Sequence, residues 1–161
     1  MYKNLKVMVI LATLLIAGFI VPPHANAQVT QKKALRLGYF PNITHAQAVI
    51  GVGNGDYQKV LGNNIELKPF TFNAGPSATE ALLAKQIDSP YIGPNPTVNG
   101  YVVSQGTADR VISGAASGGA VFIVRNDSGI QSPKDFAGKK LASPQLGNTQ
   151  DVALRKYLLD N

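Results

Sequence analysis

Cysteine is absent from the 161 residues, which excludes disulfide cross-links, a cysteine nucleophile, thiolate metal centres and iron–sulfur ligation. Apolar residues make up 45% of the chain and charged residues 15%, the balance of a globular protein that depends on burial rather than cross-links. The formal charge of +6 is scattered over residues such as Arg36, Lys59, Lys68, Lys85, Arg110 and Arg125, without the basic cluster that a nucleic-acid surface needs, so no nucleic-acid partner is expected.

At the N-terminus, Lys3 and Lys6 precede an uncharged apolar run at positions 7–21, then Pro22-Pro23 and Ala25-Asn26-Ala27. A basic start, a short apolar stretch and an A-x-A site form the pattern of a secretory signal peptide, cleaved here after Ala27. The run is 15 residues long, and a membrane-spanning helix needs about 20; a retained anchor is the alternative. No Cys follows the run, which excludes a lipid-anchored lipoprotein. The expected mature chain begins at Gln28 and carries +4, because Lys3 and Lys6 account for two of the +6. It is expected outside the cytoplasm, in a periplasm or at a cell surface.

The remaining chain alternates strand and helix patterns. Residues 34–39 read as a strand, 44–52 as a helix, and 56–61 as a second helical piece closed by Gly62-Asn63-Asn64. Alternation at 65–72 predicts a strand. Ser77 with Glu80 predicts a capping box opening a helix at 78–86. A strand follows at 88–92, although Pro90 cannot donate to a ladder, then a helix at 98–104. Residues 111–116 and 120–124 read as strands around Ser117-Gly118-Gly119. A short helix is expected to start at Pro133, a further strand at 139–143, and an amphipathic helix at 151–159. Such a βαβ series predicts an α/β fold with a right-handed, mostly parallel sheet flanked by helices. The expected organisation is a signal peptide at 1–27, a first α/β lobe at 28–124, and a crossover with the start of a second lobe at 125–161. Because the last helix ends at Asp160-Asn161 without a stop signal, the sequence reads as the N-terminal part of a longer, truncated chain; a complete small domain is the alternative.

Three knots of Gly, Pro, Asn and Thr join strand-like to helix-like stretches: residues 40–45, 94–97 and 144–149. A helix N-terminus carries unpaired N–H donors and the positive end of the dipole, and open α/β sheets bind ligands beyond the carboxyl ends of their strands. Several such ends around one crevice would hold an anion or small polar molecule without a catalytic group. For any one knot alone turn chemistry is the better explanation; three at strand-to-helix junctions favour binding. His45, the only histidine of the expected mature chain, has no acidic or Cys partners at metal-ligand spacing. The Gly-rich stretch 114–119 lacks the Lys-Ser/Thr of a P-loop and the spacing of a dinucleotide fingerprint. No nucleophile triad or carboxylate pair stands out, so neither an enzyme nor a cofactor or metal is expected.

Taken together, several stretches resemble the solute-binding proteins of ABC importers, in particular the nitrate, sulfonate and taurine group with its thiamine-precursor relatives. These are Leu37-Gly38-Tyr39-Phe40-Pro41-Asn42 with Thr44-His45-Ala46, Gly75-Pro76-Ser77 with Glu80-Ala81-Leu82, and Gln86-Ile87-Asp88 with Tyr91-Ile92-Gly93-Pro94-Asn95-Pro96. Further matches are Lys134-Asp135-Phe136-Ala137-Gly138-Lys139-Lys140-Leu141-Ala142 and Gly147-Asn148-Thr149. The resemblance spans the expected mature chain in order, with Pro90 as a departure. It implies a type II periplasmic-binding-protein-like architecture, two lobes closing on a ligand. It also implies capture of a small anionic solute (an aliphatic sulfonate, taurine or nitrate-like oxyanion) for a membrane permease. Carried over by position, it places Pro41 and Asn42 on one wall and Gly93, Pro94 and Asn95 on a second. Ser117, Gly118 and Gly119 fall at the crossover edge, and Gly147, Asn148 and Thr149 on the opposite lobe. A thiamine-pyrimidine synthase-like enzyme or a receptor's ligand-binding module on the same fold are the alternatives.

Overall fold

Strand β1 (Lys33–Tyr39) is the middle strand of a three-stranded parallel sheet in the order β2-β1-β3. The computed structural model describes residues 32–161 except position 119; the expected signal peptide at 1–27 and Gly119 lie outside the described residues. β1 pairs along its length with β2 (Ile65–Thr71), from Lys33 opposite Ile65 to Tyr39 opposite Thr71. On its other side it meets only the two residues of β3, Ser89 and Pro90. Parallel neighbours require crossovers. A 3-10 turn (Ile43–His45), α1 (Ala46–Gly53) and α2 (Asp56–Leu61) bridge β1 to β2, and α3 (Gly75–Leu83) bridges β2 to β3. Beyond β3 come α4 (Pro94–Val103), a second 3-10 turn (Pro133–Phe136) and α5 (Thr149–Asp160). This α/β arrangement is part of the periplasmic-binding-protein-like lobe expected above. Among the described residues no helix is long and apolar enough to cross a membrane.

The core lies between β1 and the helices, with Leu37, Phe40, Ala48, Ala78, Ala81 and Ile87 buried. At Gly38 a β-carbon would press on Ile87 and Phe72, at 2.9 and 3.1 Å, so the sheet accepts the helical layer only without a side chain there. At the outer end of the ladder, the Asp88 carboxylate accepts from the Arg36 backbone N–H at 2.8 Å and from Arg36 Nε at 3.0 Å. These bonds to the guanidinium and backbone of Arg36 hold the Asp88 carboxyl below its ordinary range.

Helices α3 and α4 approach through small residues. A β-carbon on Gly75 would collide with the Pro96 ring, and one on Gly100 would come within 2.9 Å of the Thr79 methyl. Pro96 is fully buried, and Thr79 Oγ1 donates to its carbonyl at 3.3 Å. This contact sets the position of the α4 N-terminus.

Both helices begin earlier than the sequence reading expects. The capping box at Ser77 and Glu80 does not form: the α3 cap residue is Ala74, extended and without a side-chain cap. Likewise α4 opens at Pro94 rather than at 98, with Gly93 as its cap residue. Proline in the first turn sets φ for the helix and needs no donor partner, so Pro76 and Pro94 displace the start. Ser77 instead donates to Gln145 Oε1 at 3.3 Å.

The strands expected at 111–116, 120–124 and 139–143 are not formed; these stretches lie outside any ladder. Val111, Ile112, Val121 and Ile123 are exposed. Apolar, β-branched residues make a strand only where a neighbour supplies the ladder, and β3 ends at Pro90, which has no N–H to give. One tether of this segment is aromatic: Phe122 packs on Tyr157 of α5 and on Phe136, with centroids 4.7 and 5.3 Å apart. Another is the Gln47 side-chain amide, which donates to the Ala115 carbonyl.

Candidate functional site

A cleft of about 520 Å³ opens beside the N-termini of α4 and α5. Its α4 wall is Asn95, Val98, Asn99 and Val102 with Pro94 and Pro96, and its other wall is Leu146, Gly147 and Val152, with Pro76 at the edge. The α4 residues recur at i, i+3, i+4 and i+7, which puts them on one helical face. That face is apolar apart from two amides, each able to donate and accept.

The two helix ends touch. A β-carbon on Gly93 would overlap Thr149 Oγ1, and that buried hydroxyl oxygen has no hydrogen-bond partner among the described residues. A buried hydroxyl left unpaired costs about 1–3 kcal/mol, so this oxygen is a polar atom in want of a partner at the junction.

The donors at the two ends are unequal. At α4, Pro94 and Pro96 carry no N–H, and Thr97 N–H is already bonded to the Gly93 carbonyl at 3.3 Å; Asn95 supplies the remaining first-turn amide. At α5, Asn148 is the cap and its Oδ1 accepts from Asp151 N–H at 2.7 Å. The Asp151 side chain turns back to accept from Gly147 N–H at 2.9 Å and from Arg155 Nε at 3.1 Å. A carboxylate therefore already occupies the positive end of this helix.

Of the residues expected from sequence, Pro94, Asn95 and Gly147 line the cleft, Gly93 and Thr149 pack on each other at the helix ends without lining it, and Asn148 is the α5 cap. Pro41, Asn42, Ser117 and Gly118 are exposed and are not among the residues that line the cleft. Asn42 caps the first 3-10 turn, accepting from Thr44 N–H at 3.1 Å and from Thr44 Oγ1 at 2.7 Å. His45 lies beneath that turn, buried, stacked on Phe40 with centroids 4.3 Å apart and accepting at Nδ1 from the Phe40 N–H at 3.0 Å. Burial pushes its pKa down from the ordinary value. Behind it, Tyr57 donates to the Gln47 carbonyl and meets the Tyr91 hydroxyl, both at 2.8 Å. Burial pushes the Tyr57 phenol up to about 12.

The sequence reading missed Val98, Asn99, Val102, Leu146 and Val152 as lining residues. The i, i+3, i+4, i+7 signal is present in the sequence, and a helix started at Pro94 instead of 98 exposes it.

Comparison with known proteins then places the chain. The model of the NMT1-like family matches residues 28–161. The chain belongs to the NMT1-like family. Membership is compatible with a solute-binding role and consistent with binding rather than catalysis. No curated protein and no solved structure gave a significant match to it.

Proposed function

We propose that the chain is the exported solute-binding component of an ABC importer, holding a small solute at the N-termini of α4 and α5 for delivery to a membrane permease. Membership in the NMT1-like family supports this reading. The observation that carries it is the unpartnered Thr149 hydroxyl at Gly93, beside a cleft faced by Asn95 and Asn99. In this reading Gly93 leaves room for the Thr149 side chain, Asn95 and Thr149 supply neutral hydrogen bonds, and Asn148 holds the α5 end in place.

The excess of basic residues favours an oxyanionic head group such as a sulfonate, taurine or nitrate. A neutral polar ring is the second reading, favoured by two observations. Pro94 and Pro96 remove donors from α4, and the Asp151 carboxylate already sits at the α5 end. Isothermal calorimetry of the exported chain against taurine, an aliphatic sulfonate, nitrate and an uncharged aminopyrimidine tests both. Saturable binding lost in Asn95→Ala supports the cleft. Binding unaffected by Asn95→Ala and Thr149→Ala places the solute elsewhere, and no binding across the panel counts against a solute of either class.

A further inference from the structure

Beneath the exposed turn at the end of β1, a single buried imidazole does the work of a backbone acceptor. The Phe40 N–H donates to His45 Nδ1 at 3.0 Å, which fixes the lone pair on Nδ1 and the proton on Nε2. The chain between donor and acceptor is the segment Pro41, Asn42, Ile43 and Thr44, exposed throughout. Its further internal ties include Asn42 N–H to the Phe40 carbonyl at 2.8 Å, His45 N–H to the Asn42 carbonyl at 3.1 Å, and the Thr44 N–H and hydroxyl to Asn42 Oδ1 at 3.1 and 2.7 Å.

A proton on Nδ1 removes the acceptor. It sets N–H against N–H and leaves a charge on a side chain that is 7% exposed, in a site with nothing to balance it. Phe40 stacks on one side of the ring, and Tyr91, after β3, lies with its ring centroid 6.1 Å away. The Tyr91 hydroxyl is spent on Tyr57, whose own proton goes to the Gln47 carbonyl. No carboxylate among the described residues forms an ion pair with His45. The surroundings are thus aromatic and neutral, and protonation is relieved by letting the ring swing out to water.

We propose that His45 is a proton-operated latch: neutral, it holds the Phe40 amide and closes the turn at 40–45; protonated, it leaves the pocket and frees the turn that carries Pro41 and Asn42. Burial depresses the pKa of the imidazole, so the latch is shut at neutral pH and opens on acidification. The latch does not rest on the proposed function, because Pro41 and Asn42 do not line the cleft at α4 and α5.

The test needs no solute. In the 15N-labelled chain, the imidazole of His45 is titrated by NMR while hydrogen-exchange protection of the Phe40 amide is followed from about pH 7.5 to about pH 5. Protection of Phe40, corrected for intrinsic exchange, is expected to fall by about tenfold or more as the ring titrates, with the amides of Leu37 and Gly38 retaining theirs. In His45→Asn, whose side-chain oxygen stands in for Nδ1 and does not titrate, the fall should vanish. Flat Phe40 protection through the imidazole titration overturns the latch. So does a loss shared equally by Leu37 and Gly38, which reports global unfolding. Both results come from the unmodified chain and hold whether or not the variant folds.

Discussion

Gly93 and Thr149, 56 positions apart in the sequence, are packed so closely that a β-carbon on the glycine would occupy the space of the threonine hydroxyl. Gly93 is the cap residue of α4 and Thr149 the first residue of α5, so the contact joins the two helix ends that face the cleft. It also strands a polar oxygen, since Thr149 Oγ1 has no partner among the described residues. Stability and function are opposed at such a point. The unpaired hydroxyl costs the empty protein free energy.

Replacing Thr149 by Ala is therefore expected to stabilise the empty protein, by about 1 kcal/mol, because it deletes a buried unpaired hydroxyl. Gly93→Ala should do the reverse, at a cost of about 1–3 kcal/mol for overpacking. The double variant should recover most of that loss, since the methyl then occupies the space the hydroxyl vacates. Urea denaturation of the three variants measures the coupling. Additive effects would mean that the two residues do not share this space.

A second close approach, behind the cleft-wall residue Pro96, makes a parallel prediction. Gly75→Ala drives a methyl into the Pro96 ring, which is fully buried and cannot give way. About 1–3 kcal/mol of destabilisation is expected. Gly53→Ala serves as the control, because its β-carbon would meet nothing within 4 Å and α1 gains a better helix former. Thermal melting of both variants should show opposite shifts.

The parts of the fold that were readable in the sequence are those whose signals are local. Helix α2 falls at the expected 56–61, and β2 ends one residue short of the expected 65–72. The Gly62 turn and the alternation of Ile65 and Leu67 lie within a few residues of what they specify. The stretches 111–116 and 120–124 carry the strand formers Val, Ile and Phe, yet a strand is a relation to a neighbour, and nothing local in Val111 or Val121 says which strand will receive its hydrogen bonds. The helix starts failed for a different reason. Ser77 is a good cap in isolation, but Pro76 ahead of it is a better first-turn residue, and two valid local signals competed. The pairing of Gly93 with Thr149 was illegible because it depends on two distant helix ends meeting.

A buried histidine and several hydrogen-bonded carboxylates, Asp88, Asp127 and Asp135, give stability a two-step pH dependence. His45 is depressed in the folded state by burial, so below its ordinary value of about 6.5 the unfolded chain takes up a proton that the folded chain refuses. Stability is expected to fall as the pH drops through that region. Asp88 is depressed by its bonds to Arg36. Its contribution is present above the ordinary carboxylate value and is lost as the pH falls through the lower folded value. His45→Asn should remove the first step and leave the second, and Asp88→Asn should diminish the second, which Asp127 and Asp135 share, and leave the first. Denaturant midpoints collected across the acid range would separate them. A first step that survives in His45→Asn, or a second step undiminished in Asp88→Asn, would assign that limb to other groups.

The charge of the solute can be read from Asp151. This carboxylate sits in the first turn of α5, bonded to Gly147 N–H and Arg155 Nε. It uses the field that an incoming anion would otherwise use. Asp151→Asn keeps a side-chain oxygen for Gly147 while removing the negative charge. If the solute is an oxyanion held at this helix end, affinity for a sulfonate or nitrate should rise in Asp151→Asn, by about 0.3–1 kcal/mol for a charge near a helix terminus. The gain should shrink as salt is added. If the solute is a neutral ring bound by Asn95 and Thr149, its affinity should stay within error of the parent at every salt concentration. Asn148→Ala separates binding from support: loss of the cap costs about 0.5–2 kcal/mol of stability whatever the solute, whereas Asn95→Ala leaves stability intact and weakens binding alone. Calorimetry at two ionic strengths with the same solute panel decides between the two head groups. An Asp151→Asn variant that binds both classes more weakly would mean that Asp151 itself contacts the solute.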